Sequence, residues 1–130
     1  NGCVYSAGEG RNGALGHGRG ADSYCFKQIQ TLKNIRYISA GKDHSLALSS
    51  IRVYGWGNSV DGQLGMPKEK ICYEPEELYV YASSLCYAGP KYSIFKTEKG
   101  IYVTGSNDGG QLGLGNKTKI KMPKKLNGIE

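Results

Sequence analysis

The sequence predicts an all-β fold made of repeated four-stranded antiparallel units, and three observations support this prediction. Glycine is very frequent, with 20 in 130 residues, and ten tyrosines accompany it; this composition is typical of short strands joined by tight turns. A glycine-rich segment recurs along the chain at nearly constant spacing. No segment keeps a 3.6-residue apolar period long enough for a major helix. Short strands in repeated units that must stack on one another indicate a β-propeller.

The first recurring segment reads VYSAGEGRNGALG at 4–16, VYGWGNSVDGQLG at 53–65 and IYVTGSNDGGQLG at 101–113. One tyrosine, three glycines and one leucine are identical in all three copies. The copies begin 49 and then 48 residues apart. This agreement is far beyond what a glycine-rich composition gives by chance, so the chain contains a true internal repeat.

A second segment repeats in step with the first, since YISAGKDHSLALSS at 37–50 aligns with LCYAGPKYSIFKTE at 85–98. We therefore interpret the chain, residues 1–130, as a single partial β-propeller domain. It would hold two full repeats and the start of a third, at approximately 4–52, 53–100 and 101–130.

Each repeat is predicted to supply four short strands. Residues 35–41 alternate between apolar and polar positions and end at a glycine, and residues 44–50 alternate again. Residues 52–57 form a third strand after a short turn. The fourth strand is expected around residues 26–29 in one unit and 78–81 in the next.

The recurring glycines are explained by the backbone. Asn12-Gly13 and Asp61-Gly62 favour tight turns with positive φ, and we predict that this turn joins one blade to the next. The leucine that follows would plug the gap beside the turn. The predicted structural signature is Gly8, Gly13, Leu15, Gly16, Gly41, Gly57, Gly62, Leu64, Gly65, Gly89, Gly105, Gly110, Leu112 and Gly113.

Gly8, Gly10 and Gly13 also match G-x-G-x-x-G, the fingerprint of dinucleotide-binding proteins. That motif needs a helix after the glycines, whose N-terminus faces the pyrophosphate. The following ALGHGRGADS is too glycine-rich to start one. The other two copies replace Gly10 with Ser59 and Asn107. A nucleotide site is therefore not predicted.

The net charge of +6 is concentrated in one segment. Lys117, Lys119, Lys121, Lys124 and Lys125 contribute +5 with no acid among them, and the rest of the chain carries +1. Such a patch fits chromatin or another acidic surface, or else is a solvated edge of the fold. No aromatic residue lies among these lysines, which disfavours single-stranded nucleic acid.

The sequence offers no supported catalytic or metal-ligating set. Four cysteines are present: Cys3, Cys25, Cys72 and Cys86. They form no C-x-x-C pair and have no metal-ligand spacing with His17 or His44, so we predict buried reduced thiols in an intracellular protein, with disulfides as the alternative. We expect no enzyme activity, no cofactor, no small-molecule substrate and no membrane span.

The units resemble the regulator of chromosome condensation repeat family. The resemblance rests on VYGWGNSVDGQLG (53–65), AGKDHSLAL (40–48) and GSNDGGQLGLGN (105–116), and on Pro75-Glu76-Glu77-Leu78, which is similar to the family's Pro-x-x-Val/Leu element. It covers essentially the whole chain and implies a seven-bladed parent propeller. The second copy departs from the family by placing Tyr92 where His44 stands in the first.

The resemblance also implies candidate partner-binding residues. The founding member exchanges nucleotide on the small GTPase Ran and docks on chromatin, and the family's Gly-x-x-His loops face the GTPase. The matching residues here are Lys42, Asp43 and His44. On the structural alternative, His44 is a hydrogen-bonding staple between strands and Asp43 caps the turn.

Many relatives use the propeller as a scaffold rather than as an exchange factor, because a fold does not fix a function. The leading hypothesis is therefore a non-catalytic protein-interaction propeller, nuclear or cytoplasmic. The alternative is a guanine-nucleotide exchange factor for a Ran-type GTPase with chromatin docking, which would work by binding the nucleotide-free GTPase rather than through a cofactor.

Overall fold

The part of the chain that the structure describes contains ten short strands. A computed structural model describes residues 2–20 and 22–127, and within these residues the only helical element is a 3₁₀ turn at Arg11–Gly13. The strands are β1 (Tyr5–Gly8), β2 (Ser23–Gln28), β3 (Tyr37–Ala40), β4 (His44–Leu48), β5 (Val53–Asn58), β6 (Ile71–Glu77), β7 (Ser83–Ala88), β8 (Tyr92–Thr97), β9 (Gly100–Gly105) and β10 (Ile120–Lys125).

The strands pair into three antiparallel sheets. Sheet 1 contains β1 and β2, sheet 2 contains β3 to β6, and sheet 3 contains β7 to β10, each in chain order. The register is regular across the first three strands of sheet 2, with Leu46 opposite both Ser39 and Gly55. The prediction of an all-β chain with four-stranded antiparallel blades is confirmed.

The position of the fourth strand differs from the prediction. In sheet 2 this strand is β6, which ends at Glu77, so residues 78–81 form the connection to β7 instead of a strand. Leu78 leaves the edge of the sheet and buries its side chain, with 5% exposed. In sheet 1, β2 overlaps the predicted 26–29 but starts earlier, at Ser23.

The sequence repeats are offset from the sheets. Repeats 53–100 and 101–130 begin at the third strand of a sheet, with β5 and β9, and repeat 4–52 contains β1 to β4, so it runs from sheet 1 into sheet 2. The last three residues of repeat 101–130 lie outside the described part of the chain. A repeat therefore ties two neighbouring sheets together covalently.

The prediction that the glycine-rich turn joins one blade to the next is wrong. The turn follows β1, and the next strand along the chain, β2, belongs to the same sheet. The turn nevertheless packs on sheet 2. The indole Nε1 of Trp56 donates a hydrogen bond to the Ala14 carbonyl at 3.1 Å, and the Gly18 amide donates to the Tyr73 carbonyl at 2.8 Å. The turn thus stabilises the neighbouring blade rather than leading into it.

The main hydrophobic core lies between the sheets. One cluster runs from Val4 and Ile29 in and beside sheet 1, through Leu46 and Trp56 in sheet 2, to Phe95 in sheet 3. A smaller cluster on the far side of sheet 3 contains Val103, Leu112 and Leu126. No sheet buries its apolar faces alone, so the three sheets are stable only as a stack.

Candidate functional site

His44 lies at the first position of β4 and points from sheet 2 into sheet 3. Its side chain is 1% exposed, and its Nε2 lies 2.9 Å from the Ser93 hydroxyl of β8. Ser93 donates its single hydroxyl hydrogen to the Gln63 carbonyl at 2.6 Å. Ser93 can then only accept from the ring, which fixes His44 as the tautomer protonated on Nε2.

Burial controls the charge of this histidine. Desolvation lowers the pKa of His44 from 6.5 to about 4, against smaller opposing effects from the Tyr92 backbone and Asp43. The ring is therefore neutral at physiological pH. Its Nδ1 is buried without a hydrogen-bond partner among the described residues. His44 is a fixed donor that links two sheets.

This placement corrects the assignment of His44 as a partner-binding residue. A ring that is 1% exposed cannot contact a protein on the surface of the folded chain. The alternative given by the sequence, a hydrogen-bonding staple between strands, matches the geometry, and the two strands it joins are β4 of sheet 2 and β8 of sheet 3.

Neither serine–histidine pair of the structure has the geometry of a catalytic pair. The Ser6 hydroxyl lies 2.9 Å from Nε2 of His17 but donates its hydrogen to the Leu15 carbonyl at 2.7 Å, as Ser93 does to Gln63. In a nucleophilic pair, the hydroxyl would instead donate to the imidazole. Partial burial and nearby Lys27 lower the pKa of His17 as well.

Lys42 and Asp43, by contrast, reach the surface. They form the turn between β3 and β4, where Lys42 is exposed and Asp43 is half-buried. The Asp43 carbonyl accepts the Asn58 amide at 2.8 Å, which holds the turn against β5. Lys42 also borders a cleft of about 350 Å³ together with Lys91 and Asp108. This edge of the sheets, the upper rim, is defined by the turns at 41–43 and 89–91 and by the loops after β1, β5 and β9.

The predicted lysine patch is divided by a residue from the neighbouring sheet. Glu69, in the loop after β5, pairs with Lys119 at 2.5 Å and with Lys121 at 3.7 Å. The hydrogen bond to Lys119 lowers the pKa of Glu69 and raises that of Lys119. Within the described residues, Lys117, Lys124 and Lys125 form no ion pair. The patch is therefore three free cations beside an ion-pair cluster.

Several of the signature residues lie at contacts between sheets, whereas Gly57 and Gly105 are crowded by their own sheet. Leu15, Leu64 and Leu112 are buried, with 6%, 0% and 1% of their surface exposed. A Cβ at Gly41 would lie 2.5 Å from the Gly89 carbonyl oxygen, and one at Gly62 would lie 2.8 Å from that of Ile120. These contacts connect sheet 2 to sheet 3, so the glycines permit close approach of backbones.

Several residues of these junctions were not singled out from the sequence. Ser93 and Gln63 complete the His44 contact. Thr104 donates a hydrogen bond to the Gly62 carbonyl at 2.7 Å, and Trp56, at the aligned position of the preceding repeat, donates one to the Ala14 carbonyl. The alignment of Ser45 with Ser93 was a usable signal. The alignment of Trp56 with Thr104 gave no such signal, because the two side chains differ although both donate a hydrogen bond to a glycine turn.

The cysteines are free, but only two are buried. Cys72 and Cys86 lie in the core, whereas Cys3 and Cys25 are exposed, which corrects the prediction that all four thiols are buried. Cys25 lies on β2, which is paired on one side only. Burial raises the pKa of both Cys72 and Cys86 to about 12.

Across residues 2–20 and 22–127, no group of three His, Cys, Asp or Glu side chains could hold a metal ion. None of the helical segments in that part of the chain is long and apolar enough to cross a membrane.

Comparison with known proteins agrees with the architecture. Two models of the regulator of chromosome condensation (RCC1) repeat match the chain, at residues 1–48 and 35–63. The ultraviolet-B receptor UVR8 of Arabidopsis thaliana is 32% identical over 130 residues, which cover 95% of this chain and 30% of UVR8. The E3 ubiquitin-protein ligase HERC2 of Homo sapiens is 30% identical over 138 residues, which cover 99% of this chain and 3% of HERC2.

Solved structures show the same fold. Yeast RCC1 (Prp20), in its complex with Kap60, superposes with a TM-score of 0.81 at 24% identity, over 96% of this chain and 33% of that chain. Prp20p from Saccharomyces cerevisiae, studied for its binding to Gsp1p and histones, gives a TM-score of 0.80 at 19% identity, over 99% of this chain and 35% of that chain. The chain thus spans about a third or less of the proteins it matches.

Proposed function

Because the chain is built from regulator of chromosome condensation repeats, we propose that it functions as a non-catalytic protein-interaction propeller. The observation that supports this most strongly is the use of its buried polar side chains. His44, Ser93 and Gln63 are occupied in joining sheet 2 to sheet 3. The buried polar groups therefore hold the stack of sheets together, and the exposed rims are available to bind other proteins.

The relatives support a scaffold role in a different way. A photoreceptor and a ubiquitin ligase both contain segments similar to this chain. Proteins with such different activities share the repeat as an architectural part, so the activity of neither transfers to it. We place the protein in the nucleus or cytoplasm, with protein partners and without a cofactor.

The test is to identify the contacts of the chain directly. The tagged chain would be cross-linked in cell extract, and its cross-linked residues mapped by mass spectrometry. A scaffold predicts discrete partners whose cross-links map to the rims and survive replacement of the five lysines of residues 117–125 by Gln. Cross-links that all disappear in this variant would contradict the proposal in favour of charge-driven docking.

A second candidate is nucleotide exchange on a Ran-type GTPase, with docking on chromatin. It is favoured by the structural similarity to Prp20p, which was studied for its binding to histones and to Gsp1p, a Ran-type GTPase. On this chain the residues proposed for GTPase contact are Lys42 and Asp43 of the upper rim, since His44 is buried.

Exchange is tested by the release of fluorescent GDP from Ran in the presence of micromolar chain. Acceleration that is lost in Lys42→Ala/Asp43→Ala would support exchange, and unchanged release would exclude it for this chain. Chromatin docking is tested by binding to duplex DNA and to nucleosomes across a salt series. Since Glu69 sets one negative charge against the five lysines, the slope of log K against log salt should not exceed about 4 in magnitude.

A further inference from the structure

A cleft lies between the two complete sheets on the edge opposite the upper rim. This edge, the lower rim, contains the turns β4–β5 and β8–β9 and the connection β6–β7. The cleft has a volume of about 580 Å³. Since both sheets that form it are complete in this chain, its walls are those of the finished blades.

The lining of the cleft is cationic and rich in hydroxyl groups. Arg36, Lys96 and Lys99 contribute three positive charges against the single acid Glu98, and no ion pair involves these cations within the described residues. Four serine and threonine residues complete most of the lining, at Ser50, Ser83, Ser84 and Thr97. The hydroxyl groups of Ser83, Ser84 and Thr97 donate their hydrogens to backbone carbonyls. The guanidinium and ammonium groups are therefore the main donors for a ligand, and they fit a carboxylate better than an uncharged group.

The cleft is preorganised by local hydrogen bonds. The Thr97 hydroxyl donates to the Gly100 carbonyl at 2.9 Å and accepts the Lys99 amide at 3.0 Å, which fixes the β8–β9 turn. The Lys99 ammonium lies 5.4 Å from the centre of the Tyr81 ring, and that ring packs edge-on against Tyr102 at 5.7 Å. A cation held in place costs less entropy to engage than a mobile one.

The repeat shows that these cations are not required by the fold. In the aligned copy, the position of Arg36 is occupied by Ser84, that of Lys96 by Leu48 and that of Lys99 by Ile51. Glycines and leucines recur because every blade needs them. Three cations that each occur in one copy only, and that meet at one junction, have no such structural reason.

Exposed apolar side chains flank the cleft. Ile51 adjoins Ser50 in the chain and is 69% exposed, while Tyr79 and Tyr81 are 59% and 52% exposed. Tyrosine, arginine and aliphatic groups around a concave site are the composition of a protein interface. A nucleic acid would instead need a longer row of cations along the surface.

We infer that this cleft of the lower rim binds an acidic polypeptide segment, with a carboxylate entering between Arg36 and Lys99 and a neighbouring apolar side chain packing on Tyr81 and Ile51. The inference rests on the proposed scaffold function and specifies one surface that it uses and the chemistry of the partner.

The test uses a short fluorescein-labelled peptide rich in Glu and Phe, and the same peptide with every Glu replaced by Gln. Fluorescence anisotropy should show the Glu peptide binding the chain at least about tenfold more tightly than the Gln peptide. Arg36→Gln/Lys99→Gln should weaken binding of the Glu peptide by about tenfold, and the charge-preserving Arg36→Lys/Lys99→Arg should restore most of it.

The matched control is Lys68→Gln/Lys91→Gln, which removes the same charge from exposed positions of the upper rim and should change the Kd by less than about twofold. Equal weakening by both double variants, equal binding of both peptides, or tighter binding of duplex DNA than of the Glu peptide would each overturn the inference. Thermal unfolding of every variant verifies that it is folded.

The scaffold proposal is judged separately, by repeating the cross-linking with Arg36→Gln/Lys99→Gln. If the peptide does not bind but rim cross-links persist in this variant, the acidic-segment site is wrong and the scaffold function stands. If the rim cross-links are absent from the unmodified chain as well, the scaffold function itself is wrong.

Discussion

At the scale of single residues, the polar side chains that resemble catalytic groups serve as joints between sheets. His44 differs from an active-site histidine because its Nε2 donates to a hydroxyl whose own hydrogen is already committed to the Gln63 carbonyl. Its neutral form is favoured by burial. The residue therefore links blade stability to pH.

We predict that the chain loses stability as the pH falls from 6.5 towards 4. The unfolded chain takes up a proton on His44 with the ordinary pKa of 6.5, whereas the folded chain resists until about pH 4. Since the unfolded state binds more protons in this window, the free energy of unfolding falls there, by up to roughly 3 kcal/mol, and is unaffected at higher pH.

Urea unfolding at pH 7.0 and pH 5.0 measures this dependence. His44→Gln keeps a donor for Ser93 but cannot titrate, so the variant should lose most of the difference between the two pH values. A full pH difference in His44→Gln would contradict the assignment. His17, whose pKa is lowered too, accounts for a smaller remainder.

The thiols give a second test at this scale. Only exposed Cys3 and Cys25 should react with Ellman's reagent in the folded chain, because burial raises the pKa of Cys72 and Cys86 to about 12 and removes the thiolate that reacts. All four should react in denaturant. Cys3→Ser/Cys25→Ser is the control: rapid labelling of this variant while folded would show that the core thiols are accessible.

At the scale of elements, the requirement for glycine in the first glycine-rich turn comes partly from contact with the neighbouring sheet and not only from the conformation of the turn. Gly13 lies in the first copy of the repeat and Gly113 in the last, at the position that aligns with Gly16; both have positive φ, at +69° and +72°. A Cβ at Gly13 would collide with the Cys72 carbonyl of sheet 2, whereas Gly113 has no atom within 4 Å of such a Cβ. Substitutions at these two positions therefore distinguish the cost of backbone strain from the cost of crowding.

We predict that Gly113→Ala costs about 1 kcal/mol, which is the strain of the left-handed backbone alone. Gly13→Ala should cost at least about 2 kcal/mol more, since the β6 backbone must also move. Chemical denaturation of both variants measures the difference. Equal losses would mean that crowding against sheet 2 contributes nothing.

At the scale of the whole molecule, one core passes through all three sheets, so we expect sheets 2 and 3 to unfold together. Phe95, which is fully buried, joins them from β8. Phe95→Ala should cost about 3 to 5 kcal/mol. It should accelerate hydrogen exchange in β4 of sheet 2 as well as in β8.

The same substitution at Phe26, which is 79% exposed on β2, is the control and should change stability by less than about 0.5 kcal/mol. Hydrogen exchange followed by mass spectrometry distinguishes the outcomes. Faster exchange confined to sheet 3 in Phe95→Ala would show that the sheets unfold independently.

Much of this molecule could be predicted from its sequence. The period of 49 and 48 residues determined the number of strands per unit and the antiparallel meander, because a short alternating strand between glycines has few other ways to pair. The recurrence of a leucine at one position of the repeat, as Leu15, Leu64 and Leu112, predicted that this side chain is buried beside the turn. The loss of Gly10 in the other copies excluded a dinucleotide fingerprint.

Only the tertiary structure decided which residues meet. His44 reaches Ser93 across 49 positions, and Glu69 neutralises Lys119 across 50. Arg36 and Lys99 likewise line one lower-rim cleft only because two sheets stack. Local pattern determines strands and turns, because they depend on neighbours in the chain. Contacts between blades depend on the stacking of sheets, which places distant side chains together with no local signal in the sequence.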